Sequence, residues 1–207
     1  MPPKIDNYFI RPATEDDVDA LFHICLVTAD AGADASTLYS NPRLPGYVWA
    51  VPYLKFAPEF AFVLAKHDRV VGYVVGTPDT ASFDKALDRN WWPLVLHEIA
   101  GLIPSAEKDA DVLERIANPH SGTSGLEVTY PAHLHINILP EAQSGGWGRL
   151  MIETMLNKLS SHGVAAVHLG VSPANERAKG FYRHLGFEEL SHNDHLAFVM
   201  KLDRPAV

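Results

Sequence analysis

One cysteine, Cys25, is all that this chain of 207 residues contains. An internal disulfide is excluded, and so is a thiolate metal cluster. No H-x-x-x-H pair with a third ligand stands out either, so the sequence offers no metal site. Basic residues are in deficit: 17 Lys and Arg against 25 Asp and Glu leave a formal net charge of −8. That sign argues against nucleic acid and anionic membranes as partners, because both select a basic face. Long apolar runs are missing as well. None approaches the roughly 20 residues of a membrane span, and the opening MPPKIDNYFI has no apolar signal core. The expected compartment is the cytoplasm. What is present is an ordinary globular balance, 47% hydrophobic and 20% charged. With no repeat, linker or low-complexity tract, residues 1–207 read as a single domain.

Tyr8 to Pro12 reads as a first strand. Thr14 with Asp17 forms a capping-box pattern, and Val18, Leu21, Phe22 and Cys25 make one apolar helical face running to about Ala29. A short helix is expected over Val48 to Leu54. Phe60–Ala65 and Val70–Thr77 are β-rich runs around the polar turn His67-Asp68-Arg69, and predict a hairpin. The stretch from about 79 to 131 reads as a long helical insertion, with one helix led by Trp91-Trp92-Pro93 and another over Glu107–Ala117, ending at the Asn118–Gly122 break. Ala132–Leu139 alternates, with His133, His135 and Asn137 on one face and Leu134, Ile136 and Ile138 on the other. An amphipathic helix follows, with Ile152, Met155, Leu156 and Leu159 as its buried stripe. Val164–Val171 then reads as a strand parallel to 132–139. A helix with Ala178, Phe181, Tyr182 and Leu185 on one face is closed by Gly186, and Leu196–Leu202 is the last strand.

Between the alternating strand and the amphipathic helix lies Gln143-Ser144-Gly145-Gly146-Trp147-Gly148, a Q-x-x-G-x-G run. Glycines there permit a tight turn that gathers backbone N–H groups, and the helix N-terminus behind them favours an anion such as phosphate. No Gly-Lys-Ser/Thr follows, so it is not the nucleotidase P-loop. Nor is it the dinucleotide fingerprint, because Gln143 stands where the first glycine would be. As a turn alone it also suits a plain glycine-rich connection.

The strand, loop and helix, followed by Asn175-x-x-Ala178-x-x-Phe181-Tyr182-x-x-Leu185-Gly186-Phe187, together resemble the GNAT acetyltransferase superfamily. Ile24–Asp30 with Gly32, Tyr53-Leu54, Pro58-Glu59, Gly72-Tyr73 and the WWP insertion further resemble the acetyltransferase-like C-terminal domain of animal O-GlcNAcases. The glycine loop is intact here, whereas the animal domain departs from it and is regarded as a pseudo-acetyltransferase. The resemblance implies an α/β GNAT fold, with a mixed, mostly antiparallel sheet, helices on both faces and a helical insertion.

It also implies acetyl-CoA as cosubstrate and transfer to an amine acceptor, either a small molecule or a peptide. The alternative is a non-catalytic acyl-CoA-binding or protein-interaction module. Hydrolysis of O-GlcNAc is not expected. By resemblance, the pyrophosphate falls to N–H groups of Ser144, Gly145, Gly146, Trp147, Gly148 and Arg149, with the Gln143 side chain closing the cradle. Backbone groups of Ile138 and Leu139 fall to the pantetheine arm. Asn175 matches a residue that bonds that arm, Phe181 packs nearby, and Tyr182 matches the acid that protonates the departing thiolate. His133 and His135 resemble the H-L-H strand of arylalkylamine N-acetyltransferases, with the register against Gln143 shifted by one residue, and are the candidates for the base; Glu127 and Asp79 stand behind them. From the residues alone, Arg149 also reads as a solvated first-turn residue, Asn175 as an N-cap, Tyr182 as a packed aromatic and the histidines as strand residues hydrogen-bonded in place. Direct transfer is favoured over an acetyl-enzyme because Cys25 lies far from the motif. Oligomeric state stays open, many members of the superfamily pairing as homodimers.

Overall fold

The computed structural model describes residues 8–119, 125–192 and 195–202. Its strands are β1 (Tyr8–Pro12), β2 (Ala61–Lys66), β3 (Arg69–Thr77), β4 (Ala132–Ile138), β5 (Ala166–Gly170), β6 (Glu188–His192) and β7 (His195–Lys201). The helices are α1 (Val18–Leu26), α2 (Leu44–Trp49), α3 (Val51–Phe56), α4 (Thr80–Asn90), α5 (Trp92–Glu98), α6 (Asp109–Ala117), α7 (Trp147–Ser161) and α8 (Glu176–His184). The strands form one sheet in the order β1-β2-β3-β4-β5-β7-β6. Its neighbours are antiparallel except for β4 and β5, which run parallel.

The faces of β4 show how the layers sit. Asn137 Nδ2 donates to Thr28 Oγ1 just beyond α1, and the His133 and Tyr53 rings meet edge to face, so α1 and α3 cover the polar face. A Cβ on Gly148 would lie 3.6 Å from Ile138 Cδ1, so α7 covers the apolar face. Met151, Ile152, Met155 and Leu159 of α7 are buried there, while Leu156, expected in that stripe, is only partly covered.

Local signals explain most element ends. Arg11 grips the Asp17 carboxylate with two bonds of 2.7 Å, and the Thr14 N–H reaches it at 2.8 Å, fixing the entry to α1 through a 3-10 turn at Glu15–Asp17. The first helix ends at Leu26, short of Ala29. Thr28 Oγ1 turns back onto Ile24 O at 2.6 Å, and Ala31 and Gly32 then take positive φ. Gly186 has φ of +89°, Phe187 N–H reaches Tyr182 O at 3.0 Å and Gly186 N–H reaches Arg183 O at 3.1 Å, a Schellman closure of α8.

Three expectations need correction. The helix expected over Val48–Leu54 is two short helices, α2 and α3, joined at Ala50, each with proline in its first turn. The segment from Thr80 to Asn90, given no structure in the sequence reading, is α4. Only Phe83 and Leu87 mark its buried side, too thin a stripe to see, and Asp79 caps it by accepting from Ser82 N–H at 3.0 Å. The last strand has a partner, β6, an edge strand whose only large apolar residue is Leu190. Of the expected break at Asn118–Gly122, positions 120–122 lie outside the described residues.

Candidate active site

β4 and β5 pair only at Ala132↔Val167 and His133↔His168, although β4 continues to Ile138. Beyond that point the two strands part. Two cavities lie along the opening. One, of about 430 Å³, is lined by Ile136, Ile138, Gln143, Ser144, Gly146 and Gly148 together with Asn175, Arg177, Phe181 and Tyr182 of the α8 region. The other, of about 500 Å³, is lined by Tyr53, Thr80, Phe83, Arg115, Glu127, His133, His135 and His168.

The smaller cavity is built largely of backbone. Ser144 and Gly146 both have positive φ, +66° and +81°, so the chain turns sharply twice before α7. The three glycines differ in their reasons. Only Gly146 needs its left-handed φ. A Cβ on Gly145 would meet the Trp147 ring at 3.1 Å, and a Cβ on Gly148 would meet the Phe181 ring at 3.2 Å. The first hydrogen bond of α7 runs from Leu150 N–H to Gly146 O, 3.2 Å, so the N–H groups of Trp147, Gly148 and Arg149 precede it and lack an intrahelical acceptor. That is a cradle for an anion. Gln143 bridges its walls. Its Nε2 donates to Ile138 O at 2.6 Å, and its Oε1 accepts from Arg177.

Strand alternation decides which backbone groups face the opening. Leu139 N–H donates to Val71 O at 2.8 Å, so Leu139, Asn137 and His135 direct their N–H and C=O toward β3. Ile136 and Ile138 therefore direct theirs toward the gap. Ile138 and Leu139 are the pair named from sequence; Ile136 shares the gap-facing edge with Ile138, while the Leu139 N–H is engaged by Val71 and its side chain is buried. The face pattern was readable in the sequence, but the edge joining β3 was not.

Asn175 is the cap of α8 and also lines the cavity. Its Oδ1 accepts from Ala178 N–H at 2.9 Å as the cap of α8, while its Nδ2 points near Gly32, where a Cβ would lie 3.7 Å away. Tyr182 lines the cavity, is 7% exposed and packs on Phe187 and Phe198. Burial raises its phenol above the usual tyrosine range, so it holds its proton at neutral pH. Arg149 pairs with Glu153 at 3.1 Å across one helical turn and does not line the cavity. The cation that does is Arg177, unnoticed in sequence because it sits at an unspecified position of the N-x-x-A pattern. Trp147 also turns away, its ring 5.5 Å from that of Tyr8.

The larger cavity is built of side chains. His133 and His135 stand on β4, with Tyr53 Oη between them at 2.6 Å from His133 Nε2 and 3.0 Å from His135 Nε2. His133 Nδ1 lies 2.7 Å from Thr80 Oγ1, and His168 Nδ1 lies 2.7 Å from Tyr130 O. Burial, with smaller effects from Arg115 and His168, pulls His135 down to about 4; burial and the two other imidazoles hold His133 well below its ordinary value. Both are neutral at pH 7. The three histidines are not a ligand set: among the described residues no three His, Cys, Asp or Glu groups converge as a metal would require. Of the weaker candidates, Glu127 lines this cavity and Asp79 is used as the cap of α4. Thr80 had no signal in the sequence, and Tyr53 stood out there only as part of a resemblance, with no role; their contacts to His133 exist only where three distant segments meet.

Cys25 is buried beside Tyr73, and burial pushes its thiol up to about 12, so it is no nucleophile at neutral pH.

A model of the acetyltransferase (GNAT) family matches residues 32–187. The crystal structure of SsHAT superimposes with a TM-score of 0.87 at 36% identity, covering 94% of this chain and 98% of that one. The structure of yncA from Salmonella typhimurium, determined with its cofactor acetyl-CoA, shares the fold with a TM-score of 0.56 at 14% identity, covering 97% of this chain and 96% of that one. Protein O-GlcNAcase of Rattus norvegicus is 25% identical over 196 residues, which is 92% of this chain. The chain spans about a fifth, 21%, of the length of that relative.

Proposed function

The chain belongs to the acetyltransferase (GNAT) family, and from that premise we propose that it transfers an acetyl group from acetyl-CoA to an amine. The observation that carries the reading is the pairing of two cavities along the parted strands β4 and β5, one a backbone anion cradle and the other a side-chain pocket with neutral imidazoles. The residues present fit acetyl-CoA. Its pyrophosphate suits the N–H groups at the start of α7 and the Arg177 charge, and its amide-bearing arm suits the gap-facing backbone of Ile136 and the Ile138 N–H, the Ile138 carbonyl being held by Gln143. Phe181, in contact range of Gly148, forms the floor beneath the arm.

Each residue then has a task. Gln143 holds the Ile138 carbonyl and the Arg177 guanidinium in register. Asn175 offers Nδ2 to the arm while Oδ1 caps α8. An N–H on the free edge of β4 lies where negative charge on a thioester oxygen would be stabilised. Tyr182, kept protonated by burial, supplies a proton to the departing sulfur. The imidazoles of His133 and His135 are the candidate proton acceptors for the amine. We place the whole of residues 1–207 in a single domain on this reading, and direct attack on the thioester follows from the inert Cys25.

The test is thiol release from acetyl-CoA with a panel of amines, followed in wild type and Tyr182→Phe. Release that falls on the order of a hundredfold in kcat in the variant, with acetyl-CoA affinity retained, supports the acid role. Kinship with O-GlcNAcases favours a second reading, a non-catalytic acyl-CoA-binding or interaction module. Binding of acetyl-CoA without release for any amine would select it.

A further inference from the structure

The row of hydrogen bonds holding the two histidines distinguishes them. Pro131 O can only accept, and Thr80 Oγ1 lies 2.7 Å from it, so the threonine uses its single hydroxyl proton there. Only lone pairs are left on Thr80 Oγ1 for His133 Nδ1, which therefore carries a hydrogen. Burial keeps the His133 ring neutral, so Nε2 is bare and accepts the Tyr53 hydroxyl proton over 2.6 Å. The Tyr53 oxygen then accepts from His135 Nε2–H at 3.0 Å. A neutral His135 with hydrogen on Nε2 is bare at Nδ1.

The two rings thus have opposite tautomers. His133 has both nitrogens engaged. His135 Nδ1 has no hydrogen-bond partner among the described residues, and none of their side-chain nitrogens or oxygens that are sealed from solvent lacks a partner. Nδ1 is therefore a nitrogen that solvent reaches, on a ring that lines the larger cavity.

We propose that His135 Nδ1 receives the proton of the attacking amine, and that Thr80, His133 and Tyr53 are positioning residues that fix its tautomer. This rests on the acetyl-transfer reading above. The amine N–H bond breaks toward Nδ1, and its electron pair stays on nitrogen as that nitrogen bonds to the acyl carbon. The C–S bond breaks, and the sulfur takes its proton from the Tyr182 hydroxyl. One proton has left the amine and one has reached the sulfur; solvent returns the proton from His135 to Tyr182. The imidazolium formed on His135 keeps its Nε2–H on the Tyr53 oxygen.

The test is 15N–1H spectroscopy of the full chain, labelled at its histidine nitrogens, at pH 7. Wild type should show His133 protonated at Nδ1 and His135 at Nε2. Tyr53→Phe keeps the ring stacked on Phe83, 4.7 Å between centroids, so the chain should fold and bind acetyl-CoA normally. In it His135 should lose its fixed Nε2–H form. The reverse tautomers in wild type, or an unchanged His135 in Tyr53→Phe, would overturn the assignment. Thiol release from acetyl-CoA with tyramine, spermidine and a lysyl peptide adds the kinetic arm. His135→Gln should lower kcat about a hundredfold without moving the acetyl-CoA KM. A kcat that survives His135→Gln removes the base role. No release from wild type with any of the three amines would sink the acetyl-transfer reading and the base role with it, while the tautomer pattern would stand.

Discussion

The two cavities that meet along β4 are made of different materials. The smaller one offers N–H groups from a turn, a helix start and a strand edge, and its side chains mostly keep that backbone in shape. The larger one offers imidazoles, a phenol, a hydroxyl and aromatic rings, chiefly from α3, α4 and β4. A backbone site restricts which residues can occupy it, because each position tolerates only a certain size or φ. A side-chain site restricts the distances between segments far apart in the chain. The first kind of constraint is written locally, and the second is not.

The sharpest way to break this contrast is to fill the backbone cradle. Gly148→Leu sets carbon against the Phe181 ring, where a bare Cβ already comes within 3.2 Å. Overpacking of about 1 to 3 kcal/mol predicts a loss of acetyl-CoA affinity of about five- to 150-fold, read by calorimetric titration. His135→Gln, in the other cavity, should leave that affinity unchanged. Equal losses in both would mean the cavities are one site and not two.

A second, smaller effect separates them by pH. The unfolded chain protonates its imidazoles below about 6.5, whereas folded His135 resists protonation until about 4. In that window the unfolded state binds more protons, so stability rises with pH and is lost as pH falls from 6.5 toward 4. The melting temperature should drop by about 3 to 5 °C per pH unit from this group, and His135→Gln should flatten that part of the curve. Identical curves for the two proteins would contradict the buried neutral state.

The smallest effect sharpens the account of one residue. Asn175→Ser keeps an oxygen to cap α8 but removes Nδ2, while Asn175→Ala removes both. Alanine should cost about 1 kcal/mol of stability and serine only a few tenths. Both should weaken acetyl-CoA binding by about tenfold, the worth of one hydrogen bond. Serine with full affinity would leave Asn175 as a cap alone.

These materials also explain what could be read in advance. Gln143, Gly146, Gly148, Asn175 and Tyr182 stand close together in the chain with fixed spacing, and the structure gathers them at one cavity. The elements around them and the parallel run of β4 and β5 were legible because alternation and helical periodicity are strong from residue 132 to 187. Which strand edge of Leu139 meets β3 was not legible, because only the Leu139–Val71 bond reveals it. Arg149 was named and Arg177 was not, because nearness to the loop in sequence stood in for nearness in space. Thr80 was out of reach altogether, and Tyr53 was marked by resemblance but given no role. They lie 53 and 80 residues from His133, and only the fold brings them to it.

The central claim is that acetyl-CoA is held by backbone N–H groups at the parted strands. Amide chemical-shift mapping of the wild-type chain during an acetyl-CoA titration tests it most directly. The account predicts that the largest shifts fall on Ile136, Ile138 and the amides from Ser144 to Arg149, with Leu139 nearly still. Shifts concentrated around Tyr53, Arg115 and Glu127, or none at saturating acetyl-CoA, would contradict it.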